Sequence, residues 1–132
     1  MSYIRVASQR KGGTRPKDGE LLILIDRPNN RILGNRHRLV DHRDAVQRDA
    51  CVDAYDEDLD ADFAREGPMY QEVNRLAQLV EEGQPLAFIC WCAPDRCHGH
   101  SLKFRIELKL NRKLDPPDER PVMPVATQSA LF

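Results

Sequence analysis

The chain has 132 residues, a net charge of −1 and 41% hydrophobic residues, which suits one domain with a modest core and excludes a bulk polycation for nucleic acid. No run approaches the roughly 18 apolar residues of a membrane span, and the start "MSYIRVASQRKGG" lacks the apolar stretch of a signal peptide, so a soluble, cytoplasmic protein with no membrane partner is expected. Charge is unevenly placed: residues 1–48 carry 11 Lys and Arg against 5 Asp and Glu, and residues 49–66 carry 1 against 8.

In chain order, "YIRVAS" (3–8) alternates as a strand does, and "KGGTRPKDGE" is a loop punctuated by Gly and Pro. "ELLILID" (20–26) is a continuous apolar run, the pattern of a strand buried on both faces of a parallel sheet. The following "RPNNRILGNRHRLVD" is a long irregular loop, a type that tends to carry function. From Arg43 to about Ala64 the spacing of Val46, Ala50, Val52, Tyr55, Leu59 and Phe63 is helical. A second helix is expected from Pro68 to Glu82, with Val73, Leu76, Leu79 and Val80 as its stripe and Gly83 as its stop.

"PLAFICWC" (85–92) is a third buried strand, and 98–113 a third helix with Leu102, Phe104, Ile106, Leu108 and Leu110 on its apolar side. Strands followed by helices predict an α/β fold: a single domain over residues 1–113 with a small, mostly parallel sheet flanked by helices. Residues 114–132 are Pro-rich and polar until their end, and are expected to form a flexible C-terminal tail.

Ligands of parallel sheets bind beyond the carboxyl ends of the strands, so the loops after 26 and after 91 should share one cleft. The second of these, "CWCAPDRCHGH" (90–100), holds three of the four cysteines and two of the four histidines. Several chemistries compete for it. Cys90, Cys92, Cys97, His98 and His100 are zinc donor types, but C-x-C-x4-C-H-x-H is no finger or ribbon spacing, and no metal ligand is assigned. Cys90 and Arg96 have the C-x5-R spacing of an oxyanion cradle, weakened by Pro94, which removes an amide donor. Cys92 and Cys97 form a conceivable redox pair without C-x-x-C spacing, and the competing reading has Cys90 and Cys92 filling a core as small hydrophobes. Cys97 also falls near a helix N-terminus, where free amides lower a thiol pKa.

Together, "IDRPNNRILGN" and "CWCAPDRCHG" resemble an uncharacterised family of small bacterial and phage proteins, a domain of unknown function with RP…GNP and C-W-C-x-P-x-x-C-H-G motifs. The likeness covers roughly residues 20–110. A wider family of unknown function with C…CHR at the same turn is more distantly similar. The resemblance implies a fold and a site at Arg27, Pro28, Gly34, Asn35, Cys90, Trp91, Cys92, Pro94, Cys97, His98 and Gly99. It implies no reaction and no cofactor. Arg36 and His37 depart from the Pro and aromatic residue usual after Gly-Asn.

These observations lead to an expected anion-accepting pocket for a nucleotide or nucleic-acid phosphate. Arg27 and Arg36 would contact phosphate, Asn35 and Gly99 would line the ligand, and the amides of 97–99 would hold an oxyanion. Cys92 or Cys97 would be the nucleophile and His98 the proton carrier. The alternative is a non-enzymatic factor of phage-like DNA metabolism with a structural Cys/His cluster. "QSALF" (128–132) resembles the Q-x-x-L-F peptide by which bacterial replication and repair proteins dock on the sliding clamp, which implies Gln128, Leu131 and Phe132 as partner-binding residues.

Overall fold

The structure is a computed structural model that describes residues 2–9, 15–37, 39, 41, 43–93 and 95–117. Pro94 and the residues after Pro117, including Gln128, Leu131 and Phe132, lie outside the described residues. Its elements run β1 (Ile4–Ser8), β2 (Leu21–Leu24), α1 (Ala45–Ala64), α2 (Pro68–Glu81), β3 (Leu86–Cys90) and α3 (His98–Leu110). The three strands form one parallel sheet in the order β1-β3-β2, with Ile4 and Leu21 both opposite Leu86. The α/β fold expected from the sequence is therefore present.

Position in the sheet explains the burial of each strand. β3 is central, and all five of its residues, "LAFIC", are buried. β2 was expected to be buried on both faces, but it is an edge strand whose Leu21 and Leu24 are exposed. Its apolar run anchors the core one residue later, at the fully buried Ile25.

Asp44 starts α1 by accepting hydrogen bonds from the Val46 and Gln47 amides at 3.0 and 3.1 Å. Val52, Tyr55, Leu59 and Asp62 are the buried residues of α1, while Val46 points to solvent. In α2 the buried set Val73, Leu76, Ala77 and Val80 recurs at helical spacing behind Pro68 at the first position. The N-cap of α2, Gly67, has no side chain; Asp62 of α1 reaches across instead and accepts from the Tyr70 amide at 2.7 Å. A Cβ on Gly67 would lie 2.5 Å from that carboxylate and would push it off the Tyr70 amide.

α3 stops at Leu110 rather than at 113, because Asn111 turns into the left-handed region at φ 55°. Gly99, Leu102 and Ile106 face inward; Phe104 and Leu108, expected on the apolar side, are exposed. Packing continues past the helix. Leu114 is buried, its carbonyl accepts from the Ile4 amide at 2.8 Å, and Asp115 pairs with Lys103 at 2.6 Å. Leu114 and Asp115 thus belong to the body, beyond the boundary at 113. Among the described residues no helix is long and apolar enough to cross a membrane.

Candidate functional site

The loops that follow β2 and β3 meet in a cavity of about 410 Å³ at the carboxyl ends of those strands. Asp26, Arg27, Pro28, Asn35 and His37 line it from the first loop; Cys90, Trp91, Cys92, Arg96, Cys97 and His98 line it from the second. Leu39 and the α1 residues Arg48, Cys51 and Val52 close the remaining side. All four cysteines of the chain therefore border one cavity.

Two sulfurs touch. The Cys97 thiol donates toward the Cys90 sulfur at 3.1 Å, and the Ala93 amide donates to the same sulfur at 3.3 Å. Both residues are about 2% exposed. The bond from Cys97, aided by Ala93, holds the Cys90 pKa below the usual thiol value despite burial. The same bond, together with burial, pushes the Cys97 pKa up. Cys97, at the helix start, is thus the donor of the pair and Cys90 its acceptor.

The start of the expected oxyanion hole at 97–99 takes part in the helix cap. The Cys97 sulfur accepts from the His100 amide, and the Cys97 amide donates to His100 Nδ1 at 3.1 Å, a reciprocal capping box. The Cys97 amide is thus engaged within the turn. Gly99 does not line the cavity; a Cβ there would sit 2.9 Å from Ile25 Cδ1 and 3.0 Å from Val6 Cγ1, so glycine serves the contact between helix and sheet.

His98 lines the cavity but is held by structure. Its Nε2 lies 2.7 Å from the Ile25 carbonyl, which can only accept, so Nε2 carries the proton. Burial lowers its pKa and keeps the ring neutral, and the ring meets Tyr55 edge-on at 4.9 Å. Tyr55 in turn donates to the Leu33 carbonyl at 2.6 Å and so anchors the first loop.

That loop is built from short polar turns. Asp26 accepts from the Asn29 side chain at 2.8 and 2.9 Å, and Asn30 Oδ1 accepts from the Leu33 amide at 2.9 Å. Gly34 closes the loop, since a Cβ would lie 2.5 Å from Arg27 Cα. Asn35 lines the cavity with both ends of its amide engaged: Nδ2 donates to the Cys51 carbonyl at 3.2 Å and Oδ1 accepts from the His37 amide at 2.9 Å.

The arginines separate by position. Arg27 borders the cavity, whereas Arg36 points away and forms a two-pronged pair with Asp58 at 2.9 Å. The Asp58 pKa is lowered chiefly by Arg36 and further by His37, whose Nε2 lies 2.8 Å from it. Arg36 is therefore a loop anchor that faces a neighbouring cavity, which it shares with Arg27 and Asp58, and not the one lined by the cysteines. Arg96 is held by Asp49, Asp53 and Asp56 at 3.4, 2.8 and 3.4 Å, so its charge is spent on α1 and the C-x5-R cradle is not assembled.

Sequence reasoning missed Arg48, Cys51 and Val52. Their spacing on α1 puts them on one face, which was the available signal, but nothing local says that this face meets the two loops. Cys92 is half-buried at the cavity wall. Among the described residues no group of three or more His, Cys, Asp and Glu side chains is arranged to hold a metal ion.

A family described as a domain of unknown function, DUF4326, matches residues 6–107, a span that contains both cavity loops. No curated protein and no solved structure matches the chain.

Proposed function

The chain belongs to DUF4326, a domain of unknown function, so its activity must be read from its own site, and we propose that this site is a pocket for a nucleotide. The observation that carries the reading is the placement of Trp91 and Arg27 at one cavity. Trp91 is 42% exposed there, a flat surface on which a base can stack. Pro28, Leu39 and Val52 give apolar walls for the rest of the base, and the guanidinium group of Arg27 supplies positive charge for phosphate, while Arg48 is paired with Asp95 at 3.7 Å. The cavity volume fits one mononucleotide rather than a strand of nucleic acid. Within this reading Cys90 is the thiol available for chemistry on the ligand, and His98 holds the site together.

Trp91 is the single tryptophan of the chain, which makes the test direct. Titration of nucleoside mono-, di- and triphosphates should quench its fluorescence saturably, and calorimetry should give the same affinity. Inorganic phosphate alone should bind more weakly, because it lacks the stacked base. Fluorescence unaffected by all three nucleotide classes at millimolar concentration, with no heat of binding, would remove the nucleotide reading.

A second reading is supported by the structural duties of Cys97, His98 and His100, each tied to backbone or to a neighbouring side chain. In it the chain is a non-enzymatic factor of DNA metabolism, and the Gln128–Phe132 segment docks on a bacterial sliding clamp. Thiol-reactivity profiling separates the two: one thiol that titrates below the ordinary cysteine range favours chemistry at Cys90, and four unreactive thiols favour the structural role.

A further inference from the structure

We propose that Cys90 and Cys97 form a reactive dithiol: a hydroperoxide entering the cavity oxidises Cys90, and Cys97 resolves the product into a Cys90–Cys97 disulfide. This goes beyond nucleotide binding and does not depend on it.

The geometry carries the inference. The two sulfurs lie 3.1 Å apart, within the ~3–3.5 Å that separates reacting atoms in a near-attack arrangement. They would close to about 2.05 Å in the bond, a movement of about 1 Å. Cys90 ends β3 and Cys97 caps α3, so both are placed by regular structure and only residues 91–96 must adjust. The Cys90 sulfur accepts from the Cys97 thiol and the Ala93 amide while its own proton points to the Ala7 carbonyl at 3.4 Å; once that proton leaves, the two donors remain to hold the thiolate. Both residues border the cavity, whose volume far exceeds that of a small peroxide. Two cysteines serving only as core filler would need neither the thiol-to-sulfur contact nor the amide.

The reaction balances in two steps. The Cys90 thiolate attacks the peroxide, forming an S–O bond and breaking the O–O bond; the leaving oxygen departs as alcohol, or as water from hydrogen peroxide. The Cys97 sulfur then attacks the Cys90 sulfenic sulfur, forming the S–S bond and breaking the S–O bond. The Cys97 proton leaves with the oxygen as water. Two electrons pass from the dithiol to the peroxide, and an external thiol restores the starting state by exchange.

The test uses the full, reduced chain and one equivalent of hydrogen peroxide. The expected result is loss of two of the four thiols, a mass lower by about 2 Da, a 90–97 cross-link in the non-reducing peptide map, and reversal by dithiothreitol. Cys97→Ser should divert the reaction to a Cys90 sulfenic acid trapped by dimedone, and Cys90→Ser should abolish the cross-link. The unsubstituted chain gives the deciding readout, so a poorly folded variant does not weaken it. Four thiols intact after excess peroxide, a cross-link through Cys51 or Cys92, or oxygen addition without a cross-link would each overturn the proposal.

Discussion

The Nε2 proton of His98 is donated to the Ile25 carbonyl at 2.7 Å, which ties the first residue of α3 to the residue just past β2. Ile25 donates its own amide to the Ile89 carbonyl at 3.0 Å, so helix, edge strand and central strand are joined through one residue. His98→Ala is expected to cost about 2–3 kcal/mol in urea unfolding, from the unpaired carbonyl and the space left beside Tyr55. A ring NMR titration should find His98 neutral below pH 6.5, because burial lowers its pKa. The sign follows: this contribution to stability is complete above the unfolded value and is lost as pH falls through the folded one. A ring that titrates at or above 6.5 would contradict the dominance of burial over the Ile25 hydrogen bond at this site.

Arg27 and Arg36 make a contrasting pair. Arg27→Gln should weaken nucleotide affinity by roughly tenfold, the effect of losing one charged contact to phosphate. Arg36→Gln should leave affinity within about twofold, since Arg36 faces Asp58 outside the cavity. Trp91 quenching measures both, and equal losses would mean that Arg36 reaches the ligand.

Glu20 supplies an acid-sensitive element. Burial alone would raise its pKa, but Arg5, Tyr3 and the Lys17 amide outweigh it and bring the value down from 4.5 to about 2. The carboxylate is inaccessible, so this shift corresponds to about 3 kcal/mol of stability. That stability is full above pH 4.5 and disappears as pH falls toward 2. Denaturant midpoints between pH 6 and 2 should fall steeply for the native chain and more shallowly for Glu20→Gln, which starts from a lower value.

Asp62→Ala removes the α1 carboxylate that caps α2 through the Tyr70 amide. A loss of about 1–2 kcal/mol is expected, with the α1–α2 corner affected first in amide hydrogen exchange. Protection of the Tyr70 amide unchanged by the substitution would show that the cap is dispensable.

The tail segment is tested by calorimetry against a bacterial sliding clamp. The intact chain should give a binding heat that disappears on truncation after Thr127 and in Leu131→Ala/Phe132→Ala. Equal heats for all three would remove the tail from the functional account.

The strands and helices were legible because most of the apolar runs and stripes are bounded on at least one side by Gly, Pro, Asp or Asn, and a parallel order places the loops after β2 and β3 at one end. What local pattern does not encode is pairing at a distance. Asp58, 22 positions from Arg36, takes that arginine out of the cavity, and three aspartates of α1 take Arg96 out of service. Cys97, with Cys92 one of the two nucleophile candidates, stands at a helix start as its place in the sequence suggests. The sulfur of Cys90 that meets it is a partner that local pattern does not encode.

The strand order β1-β3-β2 also sets a timetable for folding. β1 and β2 never pair with each other; each is bonded only to β3, which follows both helices of the α1–α2 corner in the chain. During synthesis the two outer strands emerge first and wait without a sheet until residues 86–90 arrive, while the local α1–α2 hairpin can already form. Ile4 and Leu86 must then find each other across most of the domain, a loop closure that makes the sheet the slow, late step and leaves two strand edges open to wrong partners until it is complete. Any fragment that ends before Leu86 lacks both β3 and α3 and leaves α1 and α2 with no sheet to pack on.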